Sequence, residues 1–187
     1  MASTLRFDNW EDSNGTPILD GSNLAIPSSA MPAGSILQVV STTKTDTFTM
    51  SSTTFSDVTG LAATITPSST SSKILVSVVL SCSGTTNQSS VMGRLLRGST
   101  PIAVGDAAGS QILASFGAAA SVGTDLVTTQ GVDNLDSPST TDATTYKIQV
   151  RSSASGQYVF VNRSQTDSSA PGYARTVSTI TLTEVAG

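Results

Sequence analysis

The sequence contains no histidine, and that absence removes the commonest acid and base at neutral pH and the commonest metal ligand. Catalytic triads built on histidine and zinc sites of the usual kind are therefore excluded. Cysteine occurs once, at Cys82, so no disulfide can form within the chain. Its place in an apolar run fits a small buried thiol rather than a reactive one. Charge is also scarce: 12% of residues are Asp, Glu, Lys or Arg, with a net charge of −4. A pI near 4.5 leaves no basic footprint for nucleic acid or an anionic membrane surface. No stretch is apolar for long enough to span a bilayer, and Met1 to Asn9 lacks the basic start and apolar core of a secretion signal. Synthesis in the cytoplasm, with neither a membrane nor a nucleic-acid partner, is the expectation.

What the chain does contain is about a third serine and threonine, 15 glycines, and recurrent short runs of Val, Ile and Leu. Hydroxyl and β-branched side chains suit a pleated, half-buried surface and lose rotamer freedom in a helix, so the composition favours strands. Polar tracts alone would suggest disorder, but 37% hydrophobic residues arranged in periodic runs can build a core. A length of 187 residues suits one main core plus an arm.

Residues 1–30 read as that arm. Leu5 to Trp10 (LRFDNW) alternates apolar with polar side chains, Ser13 to Gly15 is a turn signal, and Thr16 to Leu19 can return as a second strand. Gly21, Pro27 and Pro32 then break regular structure, making Ser22 to Gly34 an extended connector. A lone hairpin is marginal in water, so Leu5, Phe7, Trp10, Ile18 and Leu19 require another surface and are the candidate attachment residues.

Residues 31–187 read as an all-β domain of about ten short strands with no convincing helix. Strands are expected at Ile36 to Val40, Thr54 to Val58, Leu61 to Thr66, Lys73 to Cys82, Val91 to Leu96 and Ile102 to Val104. Others follow at Ile112 to Phe116, Leu126 to Val132, Tyr146 to Arg151, Tyr158 to Val161 and Val177 to Val185. Lys73 to Cys82 carries apolar side chains on both faces, which suits a central strand. Many short strands without a fixed repeat point to a β-sandwich or jelly roll.

Few residues offer chemistry. Asp133, Asp136 and Asp142 form the best acidic group, and two carboxylates at the right separation could hydrolyse a glycosidic bond. Their neighbours Asn134, Ser137, Pro138 and Ser139 favour the competing reading, a loop in which Asp caps turns. Calcium could use the same oxygens, but the spacing of known calcium loops is missing. Gly105 to Gly109 (GDAAG) lacks the Lys of a phosphate loop and reads as a turn. Arg94, Arg97, Arg151, Arg163 and Arg175 read as strand-face and edge charges. Asn87 and Asn162 begin glycosylation sequons, which read as accidental in a chain expected to be made in the cytoplasm. Tyr146, Tyr158, Phe160 and Tyr173 could line a sugar platform; core or interface anchoring competes, most strongly for Tyr146 and Phe160, and Tyr173, following Pro171-Gly172, is the candidate glycan-loop residue. No catalytic residue, metal ligand or cofactor is assigned.

Several stretches, in order, resemble a family of small β domains of marine bacteriophage virion proteins, especially those of cyanophages. They are Met31 to Val40 (MPAGSILQVV), Phe55 to Leu61 (FSDVTGL), Ile65 to Val76 (ITPSSTSSKILV), Arg97 to Ile102 (RGSTPI) and Gly105 to Gly109. Leu135 to Pro138 (LDSP), Thr145 to Arg151 (TYKIQVR), Val161 to Arg163 (VNR) and Ala174 to Ile180 (ARTVSTI) continue the series. The LRFDNW segment also resembles the opening attachment hairpin of phage fibre proteins. The resemblance implies a trimeric jelly roll of the C1q and tumour-necrosis-factor type on the virion surface, without enzymatic activity. Since the chain has no coiled-coil heptad array or β-helical shaft to carry a tip far from the particle, the expectation is a capsid decoration or cement protein or short head fibre, held to the major capsid protein or another virion protein by the arm. A tail fibre that recognises a host surface glycan is the alternative, and a polysaccharide depolymerase a more distant one.

Overall fold

The structure, a computed structural model, describes residues 31–85, 91–118 and 125–187, together with the backbone of the paired segments β1 (Leu19–Asp20) and β2 (Asn23–Leu24). Among the described residues there is no helix, and eleven strands follow the arm. In chain order they are β3 (Ile36–Lys44), β4 (Phe48–Met50), β5 (Ser56–Ile65), β6 (Lys73–Gly84), β7 (Val91–Arg97) and β8 (Thr100–Ile102). Then come β9 (Phe116–Ala118), β10 (Thr128–Asp136), β11 (Thr144–Ser152), β12 (Val159–Val161) and β13 (Ser178–Val185). All pairings are antiparallel.

The registers simplify this list. One edge of β6 pairs with β13 through Lys73 to Val79 and with β12 through Cys82 to Gly84, so β12 and β13 lie end to end in one column. Their far edge pairs with β4 and β3 respectively, a second broken column. The opposite edge of β6 carries β10. Sheet one thus reads β3/β4, β13/β12, β6, β10. In sheet two, β7 pairs with β11 on one side and with β8 and β9, again end to end, on the other, while β5 flanks β11. Sheet two reads β5, β11, β7, β8/β9. Numbered in chain order, the eight columns run 1-8-3-6 in one sheet and 2-7-4-5 in the other, which defines an eight-column jelly roll.

Period-two patterning places the core between the sheets. Ile74, Val76, Val78, Leu80 and Cys82 of β6 and Ile180 and Leu182 of β13 face Leu95 of β7 and Tyr146, Ile148 and Val150 of β11, all buried. Each fully buried Leu, Ile or Val contributes about 1.5–3 kcal/mol. Burial also pushes the Cys82 thiol up to about 12, so it is an inert core group, as its apolar run implied.

Several expectations need correction. Thr54 to Val58 and Leu61 to Thr66 are not two strands around a turn. Between Ala62, opposite Lys147, and Asp57, opposite Gln149, β5 carries three more residues than β11, and this irregularity, with Gly60 at φ 81°, lets β5 continue with both Val58 and Leu61 inward. Ile112 to Ser115 is not strand. Ser115 anchors that segment by donating its Oγ to the Ile102 carbonyl and accepting from the Leu95 N–H, and pairing begins only at Phe116. β10 extends to Asp136, placing Asp133 and Asp136 in a strand rather than a loop. The connector from Ser22 to Gly34 carries a pairing of its own, Leu24 with Leu19 and Asn23 with Asp20. The attachment candidates Leu5, Phe7, Trp10 and Ile18, and the side chain of Leu19, lie outside the described residues.

Candidate functional site

The two outer faces of the sandwich differ in chemistry. On sheet one, register rows run Val39–Thr183–Leu75–Leu135, Ser41–Thr181–Ser77–Asp133 and Thr43–Thr179–Val79–Gly131. Across these rows only Asp133 is charged. Val39, Val79 and Leu135 are 58%, 45% and 52% exposed, an unusual display for β-branched and leucine side chains on regular strands.

Sheet two presents charge instead. Lys147 lies 2.8 Å from the Asp57 carboxylate, which also accepts from the Gln149 amide at 2.6 Å. The Gln149 carbonyl oxygen in turn accepts from Nε and Nη2 of Arg94, at 2.9 and 2.7 Å. This relay orients the Arg94 guanidinium without placing a carboxylate directly on it. The Lys147 hydrogen bond outweighs burial and, with Gln149 and the Lys147 and Arg94 charges, holds the Asp57 carboxyl below its ordinary range.

Arg94 lies over the Phe55 ring, 4.2 Å from its centroid, and Arg151 stands 5.8 Å from the same ring. The register puts all three on one face, because Gln149 opposes both Arg94 and Asp57 while Arg151 is two residues further along β11. Arg151 spends its Nε on the Ser152 carbonyl. Thr53, Thr54, Gln111, Ile112 and Leu113 complete an open cleft of about 490 Å³ around the three side chains. Ile112 and Leu113 come from the segment between β8 and β9 and are 43% and 38% exposed.

Two arginines read from the sequence as dispersed strand charges therefore converge, and the other three do not join them. Arg97 of β7 holds both Asp136 oxygens, at 3.0 and 2.9 Å, while the Tyr146 hydroxyl donates to the same carboxylate at 2.7 Å. Burial, then the hydrogen bond and charge of Asp136, raise the Tyr146 phenol well above its ordinary value against the pull of Arg97. This is a clamp between the sheets. Arg163 and Arg175 share Asp167, and Arg163 also covers Phe160 at 4.5 Å.

The acidic group of Asp133, Asp136 and Asp142 does not share a face. Asp133 and Asp136 are three residues apart on one strand, so Asp133 points outward and Asp136 into the clamp. Among the described residues no cluster of three or more His, Cys, Asp or Glu side chains could hold a metal ion. The aromatic residues do not form a single platform. Tyr146 is in the core, Tyr158 stacks on Phe160 at 5.8 Å on sheet one, and Tyr173 is half-buried in the turn before β13. Asn162 is fully buried with its amide bonded, so its sequon is inaccessible in the fold.

No family model matches the chain, and no curated protein matches it. The structure defines the class of fold, an antiparallel jelly-roll sandwich whose two outer faces differ in chemistry, one with few charges and one with many.

Proposed function

We propose that this chain is a bacteriophage virion structural protein, a homotrimeric jelly roll that acts as a capsid decoration or cement protein or short head fibre. The observation that supports it best is the outer face of sheet one, where apolar and hydroxyl side chains fill three successive rows across all four columns and Asp133 is the sole charge in those rows. A face that mixes exposed Val and Leu with short hydroxyl side chains is compatible with close packing against copies of itself, because it buries apolar area and leaves few charges to desolvate. In this reading the arm, through Leu5, Phe7, Trp10, Ile18 and Leu19, docks on the major capsid protein or another virion protein. The role is non-enzymatic.

Light scattering on the purified chain should give three times its 19.0 kDa mass. Val79→Lys combined with Leu135→Lys should yield a folded monomer by placing unpaired charge in the packed face. Gold-labelled antibody on intact particles should mark the capsid. A monomeric wild-type protein would remove the trimer, and its absence from particles would remove the virion role. Tail labelling would instead favour the second reading, a tail fibre recognising a host surface glycan, for which the Arg94–Arg151 cleft is the supporting feature.

A further inference from the structure

We propose that the cleft formed by Phe55, Arg94, Arg151, Ile112 and Leu113 binds an acidic saccharide, a sugar ring carrying a carboxylate or sulfate. The inference rests on the glycan-recognition reading and is independent of trimer assembly, since the cleft is on sheet two, opposite the face assigned to packing.

Three features carry it. The first is positive charge with no carboxylate directly on it: among the described residues, Arg97, Arg163, Arg175, Lys44 and Lys147 all lie within 4 Å of a carboxylate, whereas Arg94 and Arg151, like Lys73 at the start of β6, form no such pair, and the two arginines share one cleft. The second is preorganisation. Lys147, Asp57 and Gln149 hold Arg94 through successive hydrogen bonds while Phe55 supports its guanidinium, so little side-chain entropy remains to be lost when an anion arrives. The third is the opposite wall. Exposed Ile112 and Leu113 offer an apolar surface to the C–H face of a pyranose, and Thr53, Thr54 and Gln111 offer hydroxyl and amide groups to its hydroxyls.

A cleft of about 490 Å³ is within the range of small-molecule sites. A simple inorganic anion would leave the aliphatic wall unused, and a neutral sugar would leave the two guanidiniums unused. A polyanion such as nucleic acid would meet the net charge of −4.

The full-length protein is titrated with trigalacturonate, with its methyl-esterified neutral form, and with a sulfated trisaccharide, following the arginine side-chain NMR signals and calorimetric heat. Trigalacturonate or the sulfated sugar should bind and shift Arg94 and Arg151, and esterification should weaken binding at least about tenfold. Which of the two binds identifies the source of the anion. Arg94→Gln and Arg151→Gln should each weaken it at least about tenfold, while Arg175→Gln, equal in charge change and remote, should not. Equal loss in Arg175→Gln would reduce the effect to bulk charge and overturn the proposal. Binding of the esterified sugar as tightly as the acid would overturn the ligand class but leave glycan recognition standing. No binding tighter than about 1 mM by any of the three would defeat both. Monitoring the mass of every variant by light scattering keeps these outcomes separate from any failure of assembly.

Discussion

Asn162 shows how much one side chain can organise where two columns break. It is fully buried at φ 61°, and its Nδ2 donates to the Lys44 and Asp46 carbonyls, both at 2.9 Å, across the gap between β3 and β4. Its Oδ1 accepts from Ser178 Oγ at 2.6 Å, and that hydroxyl accepts from the Ser81 N–H, so the gap between β12 and β13 is closed as well. Asn162→Ala should cost about 3 kcal/mol by stranding these groups, with added strain at positive φ. Thermal unfolding should fall by about 6–12 °C. Asn162→Gly should recover only the strain component, and a loss of under about 2 °C in the Ala variant would contradict this account. Glu184 is the second buried polar anchor. Burial pushes its carboxyl up, but hydrogen bonds from Gln38 and from both the N–H and hydroxyl of Ser68 outweigh that and hold it below its ordinary value of 4.5. A group whose folded value is lowered adds stability above its unfolded value and loses it as pH falls through the folded one. The urea midpoint should therefore drop on acidification below about pH 4.5, and Glu184→Gln should show a smaller drop over the same range.

Among elements, the contact that ties the two sheets by charge runs from β7 and β11 of sheet two to β10 of sheet one. The Arg97 and Asp136 side chains are 33% and 10% exposed, so the pair is neither freely solvated nor deeply buried. Arg97→Leu would leave the carboxylate held by Tyr146 and little else, at a cost of about 2 kcal/mol. Replacing Asp136 by Leu as well should recover at least half of that, because the unpaired charge is then gone. A double-mutant cycle by thermal or urea unfolding measures the coupling, and strict additivity would show that the pair contributes nothing. Asp136→Asn therefore perturbs a sheet-to-sheet tether, and any depolymerase assay using that variant requires a stability control. Elsewhere, Phe116 covers Gly93 so closely that a Cβ there would lie 2.1 Å from the ring. That approach seats the base of the segment carrying Ile112 and Leu113 against β7.

The whole molecule divides its surface by sheet. Sheet one has a face of few charges built by four columns in register, and sheet two is a charged face with a cleft at the end where β5 begins and β11 finishes. The division follows from pleat geometry: each strand gives one side chain in two to the shared core and the other to a single outer face. Assembly through one face and recognition through the other would not compete for surface. Disrupting Val79 and Leu135 and disrupting Arg94 and Arg151 are accordingly separable experiments.

The fold class was legible in the sequence because alternation survives locally. Tyr146, Ile148 and Val150 alternate with Lys147, Gln149 and Arg151, and their burial follows that pattern. The centrality of β6 was legible too, from apolar residues on both of its faces. The ends and breaks of strands were not, since the bulge at Gly60, the short β4 and the stop before Phe116 depend on partners distant in the chain. The cleft was the least legible feature. Phe55 immediately precedes β5, while Arg94 and Arg151 belong to β7 and β11, and nothing in their local sequence says that β11 lies between β5 and β7. Residue chemistry and period-two patterning act over a few positions, so the sequence by itself determined a core, a class of fold and the absence of histidine chemistry. Pairing between distant strands decided which charges met, because only the register of an assembled sheet brings Arg94 and Arg151 to the same ring.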